Sequence, residues 1–159
     1  MRPDGRLVPL LVVEGAAQAI AFYSKVFGAR EVARYENSWR RTVDHADLCI
    51  GDAWFSVTEQ ARAWNSDAPS TLGGSPVVLQ LAVDDVRALF DRVCSAGAVP
   101  IFPVQEFCGE LMCRVRDPYG HLWILRQRIE ELSVEEIRKR RDAFAAKIRK
   151  ADPSGSPCR

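Results

Sequence analysis

The sequence predicts an α+β fold built from a duplicated βαβββ unit and closed by one extra C-terminal helix. Three observations predict it. Short β-rich runs and amphipathic stretches follow in the order strand, helix, strand, strand, strand, and that order occurs twice. Laid over one another, the halves match Ile20 with Leu89, Gly28 with Gly97 and Ala29 with Ala98 at one constant offset, and Val13 with Val83 after one gap. The chain has 159 residues, 47% hydrophobic and 27% charged, which suits one domain able to bury a core without disulfide or metal staples.

The first unit spans 1–58. Its apolar run Leu7–Val13 reads as a buried strand, with Pro9 at a position whose N–H is not needed. Ile20, Tyr23 and Phe27 recur at helical spacing within Gly15–Phe27, and Gly28 supplies a left-handed stop. Strands are predicted at Glu31–Tyr35, Thr42–Ile50 and Ala53–Thr58, the last two joined by a tight Gly51-Asp52 turn. Residues 59–76 lose all periodicity and form a connector, the kind of long loop that serves as a linker or a lid.

The second unit spans 77–128. A β-rich run over Pro76–Val83 ends at Asp84-Asp85, a good N-cap for a helix whose stripe is Val86, Leu89, Phe90 and Val93. Strands follow at Val99–Phe102, Glu110–Arg116 and His121–Arg128. Residues 129–150 hold the final helix, opened by a Ser133/Glu136 capping box; Val134, Ile137, Phe144 and Ile148 give it a face to pack on the domain or on a second copy. A flexible tail is expected over 151–159.

Lys and Arg number 22 against 21 Asp and Glu, so the marked basic excess of a nucleic-acid binder is missing. The basic residues crowd into the final helix, where a solvated face explains them. No apolar run is long enough to span a membrane, and Met1–Leu7 has no signal-peptide core, so the expected location is cytoplasmic. Cys49, Cys94, Cys108, Cys113 and Cys158 are odd in number and irregular in spacing, which fits free thiols acting as small hydrophobes.

The stretch Val13–Tyr23 followed by Val26-Phe27-Gly28-Ala29 resembles the first helix of vicinal oxygen chelate proteins, and Arg116-Asp117-Pro118-Tyr119-Gly120-His121-Leu122-Trp123 resembles their final hairpin. The tail motif Glu131–Glu136 is similar to the PhnB-like branch of the glyoxalase/bleomycin-resistance group. The resemblance covers Leu7 to Arg141. It implies paired modules forming a curved, cup-like mixed sheet, and dimers that often exchange modules between chains. It also implies, in the enzymes, one divalent metal that holds two vicinal oxygens of the substrate and stabilises an enolate or related anion. Resistance proteins of the same fold carry no metal and sequester a drug.

Carried over from the family, the four metal-ligand positions fall at Val8, at or near Ser56, at Val78 and at Ile124. Three of those side chains have no donor atom and serine is a poor lone ligand, so neither a metal nor another cofactor is expected. His121 follows a turn and reads as a polar strand start; His45, between Asp44 and Asp47, reads as a solvated strand end. No nucleophile elbow and no phosphate loop is present, and the catalytic residues stay unassigned.

Strand alternation then supplies a candidate lining. Trp54, Ser56 and Thr58 share one face, as do Gln80 with Val78, and Ile124 with Leu122 and Arg126. Trp39, Trp64, Phe102 and Phe107 lie in or beside loops, where they could stack on a planar ligand or cap the core. An apolar cup with a few polar handles is how small-molecule pockets are composed. The leading expectation is therefore a metal-free homodimer that binds an antibiotic or aromatic metabolite. The alternative is a glyoxalase-like lyase, isomerase or metal-free catalyst on the same fold; a third is an interaction module with a vestigial pocket.

Overall fold

Alternation and helical spacing dictate two sheets, each with a helix on one face, and the computed structural model, which describes residues 7–151, shows them. The first unit runs β1 (Leu10–Val13), α1 (Ala16–Phe27), β2 (Arg30–Asn37), β3 (Thr42–Ile50) and β4 (Ala53–Glu59). After a short helix α2 (Pro69–Leu72) the second unit repeats the order: β5 (Val78–Ala82), α3 (Val86–Ser95), β6 (Val99–Phe107), β7 (Glu110–Arg116) and β8 (Leu122–Arg128). Helix α4 (Val134–Ala151) closes the described chain. Cys158 and the tail beyond Ala151 lie outside the described residues, as do Met1–Arg6, most of the segment read for a signal peptide.

Each sheet has four strands, ordered β1-β4-β3-β2 and β5-β8-β7-β6, so both are open and mixed. The first and last strands of each unit pair in parallel, and the other pairs are antiparallel. Helix α1 starts after Gly15, which turns left-handed at φ 84°. Its free N-terminal N–H groups find a partner on another strand: the Glu59 carboxylate accepts from Gly15 N at 2.9 Å and from Ala16 N at 2.8 Å. Helix α3 is capped by Asp85, which accepts from Ala88 N at 3.0 Å. Removing that cap as Asp85→Ala should cost about 1 kcal/mol, read as a lowered melting temperature without a change in fold.

Three expectations need correction. The strand expected at Val99–Phe102 runs on to Phe107, as β6. Pro100 and Pro103 cut the reading short, but β6 is an edge strand, where a missing N–H is tolerated, and its register shifts at Pro100/Phe102 and Phe102/Gln105. Phe102 and Phe107 are therefore strand residues. The connector at 59–76 has structure: a 3-10 turn at Arg62–Trp64 closed by the Ala61–Ser66 bridge, then α2 with proline at its first turn. The first strand begins at Leu10, because Pro9 cannot donate to a ladder.

One core serves both units. Helices α1 and α3 lie together, and Tyr23, Phe27, Phe55 and Trp123 pack as rings, with Phe27 and Trp123 4.8 Å apart. Asp117 lies at this junction, 4% exposed. Its Oδ2 accepts from the Tyr23 hydroxyl at 2.8 Å and from Trp123 Nε1 at 2.9 Å. Its Oδ1 accepts from the backbone N–H groups of Tyr119 at 2.9 Å and His121 at 3.0 Å. Burial, then the Asp117 charge, holds the Tyr23 hydroxyl well above the ordinary tyrosine range, so it stays a proton donor. Arg92 Nε donates to Val26 O at 2.8 Å, and His121 Nε2 lies 3.0 Å from Val12 O, which tie the units further.

Candidate functional site

With Leu11, Val13, Phe55, Val57, Trp123 and Leu125 buried toward the helices, their neighbours along each strand must point to the opposite, outer face. On the first sheet that face carries Leu10, Trp54, Ser56 and Thr58 with Asp47 and Cys49, since Leu10 and Asp47 flank Ser56 and Cys49 pairs with Trp54. Asp47 is 3% exposed and is the hub: Ser56 Oγ donates to its Oδ1 at 2.8 Å, and His45 Nε2 lies 2.8 Å from the same oxygen. The expectation of a solvated strand end is thus overturned. His45 sits in the middle of β3, and its neighbour Asp47 is a buried acid on the outer face.

Beside this cluster a cavity of about 620 Å³ brings together Trp39, Trp64, Thr58 and His45. Both tryptophans are held out on loops, 84% and 82% exposed. Thr58 Oγ1 donates to Asp44 O at 2.7 Å, which fixes the cavity floor.

The outer face of the second sheet carries a register-matched row across four strands: Gln80, Ile124, Arg114 and Phe102. The next row holds Ala82, Arg126, Met112 and Gln105. Arg126 Nη1 donates to Glu110 Oε1 at 3.1 Å. A cavity of about 500 Å³ gathers Gln80, Phe107, Met112 and Arg126, and helix α4 walls it with Ile137 and Arg141. Helix α4 is seated there by Phe144, edge-on to Phe107 at 5.0 Å, and by Arg141 over the same ring. The final helix thus packs on its own domain.

The candidate lining therefore falls into two groups. Trp39, Trp64, Thr58, Trp54 and Ser56 belong to the first sheet, and Gln80, Phe107, Arg126, Ile124 and Phe102 to the second. Within one chain Trp39, Trp64 and Thr58 line one cavity and Gln80, Phe107 and Arg126 another, while Trp54, Ser56, Ile124 and Phe102 line neither. Strand patterning gives Asp47 only as part of the strand end at His45 and does not single out Arg114. Pairing β7 with β8 outward from the Asp117–Gly120 turn places Arg114 opposite Ile124, a signal present in the sequence. A third cavity, about 420 Å³ and largely apolar, lies between β1 and β5 near Pro69, Leu72, Leu79 and His121.

The four chelating positions can now be compared with their surroundings. Leu10, not Val8, lies beside Ser56, and Gln80, not Val78, lies beside Ile124. Neither choice supplies a strong donor, and the Ser56 hydroxyl is engaged by Asp47. Among the described residues no three His, Cys, Asp or Glu side chains gather as a metal site. The residues present do not fit a divalent ion. The thiols offer no ready nucleophile on the core side: burial pushes Cys113 up to about 11, and burial with Asp91 nearby raises Cys94.

The chain is similar to known proteins in sequence and fold. The chain is 37% identical to an uncharacterized protein of Mycobacterium bovis over 135 residues, 82% of this chain and 88% of that one. A Mycobacterium tuberculosis protein shows the same identity, over 79% of its length. Among solved structures, TioX from Micromonospora sp. ML1 superposes with a TM-score of 0.60 at 26% identity, covering 81% of this chain and all of that one. The fosfomycin resistance protein FosX from Listeria monocytogenes, solved with Mn(II) and sulfate, shares the fold with a TM-score of 0.63 at 17% identity, covering 88% of this chain and 99% of that one. The model of the glyoxalase/bleomycin resistance protein/dioxygenase superfamily matches residues 6–125. Two βαβββ units joined through their helices, the Asp117 hairpin and this match together make the chain a member of the glyoxalase/bleomycin resistance protein/dioxygenase superfamily.

Proposed function

We propose that this protein binds a flat, partly apolar small molecule, an antibiotic or aromatic metabolite, and acts by sequestering it in the cytoplasm without a metal. The observation that carries this reading is the pair of outer faces: Trp39 and Trp64 line one cavity and Phe107, Met112 and Ile137 the other, each among polar side chains, with no donor set at the chelating positions. Its working form is a homodimer. The two faces open on separate cavities within a chain, so the first face of one copy against the second face of another would enclose a ligand between Trp54, Ser56 and Thr58 on one side and Gln80, Ile124 and Arg126 on the other. The family description, which includes bleomycin resistance proteins, supports it. The tail motif Glu131–Glu136 is the ground for proposing the PhnB-like branch.

Native mass spectrometry of the full chain should show a dimer carrying an organic adduct. Titration with the released compound should be weakened about tenfold by Trp54→Ala and by Trp64→Ala, the loss of a stacking ring. Unchanged affinity in both variants would overturn the pocket. A catalytic reading has one observation in its favour, the buried Asp47 carboxylate held between His45 and Ser56. Turnover of the co-purified compound that Asp47→Asn abolishes would replace sequestration with catalysis.

A further inference from the structure

We infer that the outer face of the second sheet contains an oxyanion subsite, built on Arg114, that receives the carboxylate of an otherwise apolar ligand. The inference deepens the binding reading above and rests on it. Arg114 lies at the centre of a row, with Ile124 and then Gln80 on one side and Phe102 on the other. The neighbouring guanidinium, Arg126, already faces the Glu110 carboxylate. Arg114 differs: no salt bridge among the described residues reaches it.

The Nε atoms of both arginines are buried and have no hydrogen-bond partner among the described residues. A guanidinium does not give up its proton in a protein, so this site cannot neutralise itself as a buried lysine would. Its planar fork suits two parallel hydrogen bonds from a carboxylate better than any other small group. The Gln80 amide lies two strands away in the same row, beyond Ile124, and Ile124 and Phe102 supply an apolar floor for the rest of the molecule. On the outer face of the first sheet the buried cluster is built around a carboxylate, Asp47, rather than a guanidinium. An acidic ligand is therefore held in one orientation, its charge against the second sheet.

The test uses 2-naphthoate and its neutral counterpart 2-naphthamide, titrated by fluorescence into the full-length wild-type protein and into R114M and R114K, with sedimentation velocity on each. Wild type should bind naphthoate at least tenfold more tightly than naphthamide. R114M should lose that preference while keeping its affinity for naphthamide, and R114K should restore part of it. Equal affinity of wild type for both probes overturns the subsite and leaves the pocket standing. Failure of wild type to bind either probe removes both. A shift of R114M to monomer also overturns the inference, because Arg114 would then answer an acid of a second copy. If R114M does not fold, R114K and the wild-type comparison decide alone.

Discussion

Asp117→Ala is expected to destabilise the protein by about 3–5 kcal/mol, enough to unfold a marginal domain at physiological temperature. The substitution strips partners from two buried side-chain donors, the Tyr23 hydroxyl and Trp123 Nε1, and from two backbone N–H groups of the hairpin. Tyr23 and Asp117 belong to different units, so the loss falls on the contact that holds the halves together. Urea unfolding followed by tryptophan fluorescence should show a lower midpoint. Asp117→Asn should recover part of the loss, since one acceptor oxygen remains while the amide nitrogen meets the Trp123 N–H. A midpoint unchanged in Asp117→Ala would contradict the junction described here.

Gly120→Ala should cost about 2–4 kcal/mol, from left-handed strain together with overpacking. Gly120 has φ 90°, and a methyl group there would come within 2.7 Å of Pro69 Cβ. A proline ring cannot rotate away as a flexible side chain could. The damage should spread along the connector: α2 would be pushed from its seat, and limited proteolysis should cut between residues 59 and 76 sooner than in wild type. Equal cleavage rates and equal melting temperatures would show that α2 is free to move.

Much of the fold could be read from local pattern. Ile20, Tyr23 and Phe27 mark α1 by spacing, Gly28 stops it, and Asp85 caps α3, each within a few residues of the signal. The errors arose where the deciding partner is remote. Asp47 is buried because Ser56 and His45 converge on it from two strands, so a reading confined to the acidic neighbourhood of His45 mistook it for a surface residue. Strand β6 runs past its expected end because proline signals a break unless the strand is known to be an edge. The face that Arg114 occupies is fixed only once the hairpin register is set. The lining divides between two sheets because Trp54, Ser56 and Thr58 lie on β4 while Gln80, Ile124 and Arg126 lie on β5 and β8, and which sheets face each other leaves no local trace in the sequence.

The outermost strands β2 and β6 have a bearing on how copies meet. Two prolines and two register slips interrupt β6; slips and the alternating charges of Glu31, Arg34 and Glu36 interrupt β2. Neither of these two rims offers a continuous ladder to an incoming strand, so fibril-like growth by sheet extension is discouraged there, and the opposite rims, β1 and β5, are short strands of four and five residues.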